Sequence, residues 1–191
     1  ENGNGGEAYN FEAVSTEADG VNCYGFFETK FKNGYKSANR VNNQLHIERI
    51  DACAKNLNEL DDVLVVWCAT KERNEYKVVG WYQHAWVYRF YQVLQFENGY
   101  IQDFNVKAKK EDCVLLPYEE QNRVQWNAPI SKMRGYGFGQ SLVWYASEAD
   151  TAPAVSYVQN LVDAIHAYSG KNYLDIDETN DPALQQWNAC R

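Results

Sequence analysis

VLVVWCATKERNEYKVVGWYQHAWVYR, residues 63–89, is the stretch whose reading decides the fold. Val63–Ala69 is apolar at nearly every position, the pattern of a strand covered on both faces. Lys71–Tyr76 is a polar turn, and Lys77–Arg89 is long enough to be a second strand running back along the first. Side chains two apart on a strand point the same way. Val79, Trp81, Gln83, Ala85, Val87 and Arg89 are therefore expected on one face, and Val78, Gly80, Tyr82, His84, Trp86 and Tyr88 on the other.

Working outward, residues 1–8 (ENGNGGEA) read as a flexible lead-in. Tyr9–Val14 and Gly25–Thr29 read as short strands about a turn at Asp19-Gly20, and Leu45–Ile50 as another strand. Asp51 is placed to cap a short helix over 51–60. After the central pair, Phe90–Val106 holds a strand or two turned at Asn98-Gly99, and Cys113–Leu116 is a short buried strand ended by Pro117. Ala154–Tyr168 sets Val155, Val158, Val162 and Ile165 at helical spacing, with Gly170 as the stop. Residues 171–191 are acidic and polar and read as a linker. Many short strands with one late helix predict a single α+β domain over 9–170. It is built on a strongly bent mixed or antiparallel sheet, or a small β-barrel, with a C-terminal amphipathic helix.

The chain of 191 residues suits one domain, and no apolar run is long enough for a membrane span. Five cysteines (Cys23, Cys53, Cys68, Cys113, Cys190) without a CxxC argue for free thiols, a cytoplasmic setting and no zinc site. The lack of an initiator Met reads as a piece of a longer protein. The net charge of −8 is unevenly spread. Residues 1–29 carry six acids and no Lys or Arg, and residues 148–191 carry seven acids against two bases. The middle, 30–147, has sixteen bases and thirteen acids, so the acidic total does not exclude nucleic acid as a partner.

Aromatic residues make up 15% of the chain. Trp81, Tyr82, Trp86 and Tyr88, with His84 among them and Trp67 on the neighbouring strand, form a candidate wall for a planar ligand. A stacked base gains about 1–3 kcal/mol per ring. Each ring taken alone reads as core; as a set with polar atoms to satisfy, they read as a pocket. The loop RGYGFGQS (134–141) brings Gly139, Gln140 and Ser141 beside Lys132 and Arg134, an arrangement suited to an anion. Lys30, Lys32 and Lys36 lie in a basic stretch interleaved with Phe31 and Tyr35 that suits a phosphate backbone, with Arg89 as a further contact. No nucleophile elbow, HExxH or P-loop occurs, so no catalytic residues, metal or cofactor are expected. Glu48, Asp62 and His84 are the weakest alternative, a small hydrolase site.

The strings IERIDA (47–52), LDDVLVVWCAT (60–70), VVGWYQHAWVYR (78–89), EDCVLLP (111–117) and GFGQSLVWYA (137–146) together resemble an N-terminal module of bacterial restriction-type proteins, in which a nuclease-like domain follows. The order of a buried strand, a polar turn and a strand carrying Gly and aromatics is also similar to the PUA-like superfamily, which includes the EVE and YTH readers of modified bases. That resemblance implies a bent β-barrel with an aromatic cage, for which Trp67, Trp81, Tyr82, Trp86 and Trp144 are the matching residues. The expectation is a non-catalytic domain that binds double-stranded DNA and extrudes a modified base into the cage, with a nuclease domain downstream in cis. The alternative is a small-molecule or glycan-binding domain using the same rings.

Overall fold

A computed structural model describes residues 9–17, 19–29, 44–72, 75–96, 99, 101–129, 136–137 and 142–175. Six antiparallel strands form one sheet: β1 (Ala13–Thr16), β2 (Gly20–Gly25), β3 (Glu59–Glu72), β4 (Glu75–Gln95), β5 (Ile101–Lys109) and β6 (Cys113–Leu115). The order across it is β1-β2-β5-β4-β3, with β6 on β4. β4 takes β3 along one edge and β6 and then β5 along the other, and the sheet curls into a half-barrel. One helix, α1 (Ala152–His166), packs beside it, capped by the Thr151 hydroxyl accepting from the Ala154 N–H. The α+β, bent-sheet expectation holds at this level. Among the described residues no helix is long and apolar enough to cross a membrane.

Curling follows from irregular pairing. The β3–β4 register shifts at several places, and two shifts offset each other: one between Leu60 and Val63, the next between Val63 and Val65. The first leaves an extra residue on β3, the second an extra residue on β4. Each bulge bends its strand and sharpens the twist. Asp62 and His84 sit there with left-handed backbones, φ 55° and 48°. A further shift lies between Trp67 and Cys68.

The bulges overturn the expected division of β4 into two constant faces. Tyr82, Ala85 and Val87 belong to an inner cluster with Val65, Trp67 and Val106, whereas Val78 and Trp81 join Trp126 and Ile165 in an outer cluster on the other side. Trp81 and Tyr82 are both fully buried, on opposite sides of the sheet. On α1 the buried positions are Ala154 and Ile165, while Val155, expected on the core stripe, is half exposed. Leu45–Ile50, expected as a strand, turns instead as a 3-10 segment over Ile47–Arg49, and Asp51 caps the next one at Ala52–Asn56 by accepting from the Cys53 N–H at 2.8 Å.

Three asparagine side chains act as short pieces of ladder where strands end. Asn105 accepts from the Phe27 N–H and donates to its carbonyl, both at 2.8 Å. Asn10 accepts from the Phe26 N–H. Asn172 donates to the Cys113 carbonyl and accepts from the Leu115 N–H, each at 2.9 Å.

Candidate functional site

β3 ends the sheet, and no strand among the described residues pairs with its outer edge. Its faces are covered by the two clusters, yet that edge is open, which is how a run read as buried on both sides comes to border a groove. The cavity there is about 920 Å³ and touches every residue from Leu60 to Cys68. Successive side chains on a strand point oppositely, so a hollow touching nine in a row follows the strand's edge. Tyr157, Val158, Leu161 and Val162 of α1 and the segment 142–147 form the facing wall.

The groove has aromatic surfaces. Phe27 stacks on Trp67 at 4.4 Å between centroids. Trp144 and Tyr157, both half-buried, stand 6.2 Å apart at 49°, with Tyr136 against each. Tyr145 accepts the His46 N–H on its hydroxyl and carries the Arg49 guanidinium 4.2 Å above its ring. Burial pushes the Tyr157 hydroxyl well above its ordinary value, and it donates to the Asn127 carbonyl. The Cys68 thiol, also in this wall, is pushed up to about 12 by burial. The charged residues along the groove are Glu28, Asp51, Asp61 and Asp62; no Lys, Arg or His among the described residues lines it.

Of the seven residues expected to form a base pocket, Trp67 and Trp144 line this groove. Trp67 is mostly core: its indole Nε1 is occluded without a partner, as is the Tyr82 hydroxyl beneath it. Trp81 stacks on Trp126 at 5.3 Å and meets Tyr168 edge-on, so it is core under α1 and not a pocket wall. Trp86 lies under the Lys107 ammonium and Tyr88 packs edge-on to Phe104; both sit away from the groove. His84 is exposed and bonds Asp62 at 2.6 Å, and that bond first, then the nearby acids Asp62 and Asp112, raises its pKa. Phe27, Tyr145 and Tyr157 complete the aromatic lining, and only the apolar spacing around Tyr157 on the helix could have signalled one of them.

Arg89 corrects the expected phosphate contacts. It is buried, and its guanidinium is occupied: Nε donates to the Leu57 carbonyl, Nη2 to those of Ala54 and Lys55, and Nη1 to Glu48 at 2.6 Å. Burial works against the Glu48 carboxylate, but its own backbone N–H, His46 and Arg89 bring it down to about 2. Arg89 thus ties the 3-10 turns to β4, beside a smaller hollow of about 620 Å³. Lys30, Lys32, Lys36, Lys132, Arg134, Gly139, Gln140 and Ser141 lie outside the described residues. The alternative hydrolase trio divides between two ion pairs, Glu48 with Arg89 and Asp62 with His84. Among the described residues no three His, Cys, Asp or Glu side chains are grouped to hold a metal ion.

Comparison with protein-family models, curated proteins and solved structures gave no match. The restriction-type and PUA-like resemblances therefore rest on the sequence motifs alone.

Proposed function

We propose that this chain is a non-catalytic recognition domain of a bacterial restriction or defence protein, PUA-like in fold, that takes an extruded, modified base of duplex DNA into the groove along β3. The observation behind this reading is the groove itself: about 920 Å³, apolar along β3 and α1, with Trp144 and Tyr157 as half-buried rings. Ligand pockets fall in the range of roughly 300–1,000 Å³ and pair apolar walls with a few polar groups. A flipped base needs a slot of this kind. By the same resemblance, the nuclease chemistry belongs to a domain downstream in cis.

A second reading has its own support. Four carboxylates and no described cation line the groove, which favours a free planar or sugar ligand over one that arrives with phosphates attached. Polarisation titrations with plain, methylated and hydroxymethylated duplexes over a salt series separate the two readings, run beside a melting screen of nucleosides and sugars. Modification-dependent, salt-sensitive duplex binding supports the first reading. Stabilisation by free ligands without duplex binding replaces it with the second. In either case Trp144→Ala is expected to weaken binding about 5- to 150-fold, the loss of one stacked ring of roughly 1–3 kcal/mol.

A further inference from the structure

Two of the cysteines meet in the inner core. Cys23 on β2 and Cys113 at the start of β6 are both fully buried and share the cluster that holds Tyr82, Ala85 and Val106. The chain route brings them together. Cys23 lies opposite Ala108 on β5, and Lys109, the last residue of β5, lies opposite Asn22. A single 3-10 turn, Lys110–Asp112, then kinks the chain, which continues along the same edge of β4 as β6. Cys113 follows at once, and its Sγ reaches back to the Lys109 carbonyl at 3.2 Å. There it lies beside the buried Cys23 thiol in the same cluster. Tyr82, opposite Cys113 in the β4–β6 register, closes the site with its unpartnered hydroxyl. The other described cysteines lie elsewhere, Cys53 exposed after its capping Asp51 and Cys68 in the groove wall.

We infer that Cys23 and Cys113 form a latent disulfide, a thiol pair positioned by the fold to become a covalent strap between the first hairpin and β6 when a small disulfide oxidant of the glutathione type is present.

The two sulfurs are unequal, which sets the order of events. The neighbouring Cys113 thiol, and then the Lys110 ammonium, favour the Cys23 thiolate against its burial. Cys113 is held protonated, first by the Cys23 sulfur beside it and then by burial. Cys23 thiolate attacks one sulfur of the oxidant, forming a mixed disulfide and releasing one glutathione thiolate. Cys113 then gives up its proton and attacks the Cys23 sulfur, and the second glutathione thiolate leaves. Two protein thiols lose two electrons and two protons, and one oxidised glutathione becomes two reduced ones. Because neither thiol is exposed, the exchange runs readily while the chain is folding and slowly once the sheet has closed.

The test refolds the chain from urea in glutathione buffers of increasing oxidised fraction. Free thiols are blocked by a maleimide under denaturing conditions, and the unreduced digest is mapped by mass spectrometry. The expected result is a loss of two free thiols, one linked peptide joining Cys23 to Cys113, and a raised melting midpoint that dithiothreitol reverses. A variant carrying Cys53→Ser, Cys68→Ser and Cys190→Ser keeps the pair and should give the same single linkage, which guards against a Cys23→Ser variant that fails to fold. All five thiols free in the most oxidising buffer would overturn the proposal, as would linkages distributed among the cysteines without preference.

Discussion

Replacing Arg89 by Met keeps the aliphatic stem and removes the guanidinium, and the structure sets what is lost. Three backbone carbonyls lose a charged donor, at about 1 kcal/mol each, and Glu48 loses a bond in the range of roughly 1.5–3 kcal/mol. Glu48 has 30% of its side chain exposed, so water recovers part of this and the net cost is about 3–4 kcal/mol. That is a large share of the roughly 5–15 kcal/mol that holds a domain together. Urea denaturation followed by tryptophan fluorescence at neutral pH measures it. A second signature lies in acid. Folding depresses the Glu48 pKa from 4.5 to about 2. Its contribution is therefore complete above pH 4.5 and lost as pH falls to about 2. The native chain should lose stability across that window more steeply than the Met variant does. If Arg89→Met unfolds within about 0.5 kcal/mol of the native chain while its DNA affinity and salt slope both fall, Arg89 is a phosphate contact and does not anchor the 3-10 turns to β4.

Gly80→Ala would drive a methyl group into the Val114 carbonyl and the Phe11 ring. Overpacking of about 2–3 kcal/mol, less the ~0.5 kcal/mol a lost glycine returns, should lower the melting midpoint by about 3–10 °C, and an unchanged midpoint would refute the close approach. Asn105→Ala strips two hydrogen bonds from Phe27 and should cost about 2–3 kcal/mol in urea; because Phe27 stacks on Trp67 in the groove wall, ligand binding should weaken alongside. Asp62→Asn should bring the His84 titration down towards the ordinary 6.5, read by NMR, and a pKa that stays raised would show that the pair does not set it.

What the sequence disclosed depended on the range over which each signal acts. The β3–β4 hairpin and α1 were legible because each is a long periodic run with punctuation at its ends, and the Asp51 cap because it is local. The faces of β4 were not, since alternation presumes an unbroken register and bulges leave no mark that side-chain period can reveal. Arg89 looks the same in sequence whether it meets phosphate or three carbonyls of a neighbouring turn. The groove combines Phe27, Trp67, Trp144 and Tyr157 from four separate parts of the chain, and of these the strand and the GFGQSLVWYA segment supplied only Trp67 and Trp144. Cys23 and Cys113 looked unrelated because their contact depends on a sheet order, β2 beside β5, that spacing does not encode.

The offset bulges at Asp62 and His84 also constrain how this hairpin can change over time. Losing the extra residue of one strand alone would slide everything beyond it by one position, turning Val65 and Trp67 out of the inner cluster and Leu64 and Val66 into it. Losing one from each strand would cancel the slide and cost only the bend. Length variation in this hairpin is therefore expected to be inherited in pairs, and a homologue shortened at the position of Asp62 should be shortened at Gln83 or His84 as well.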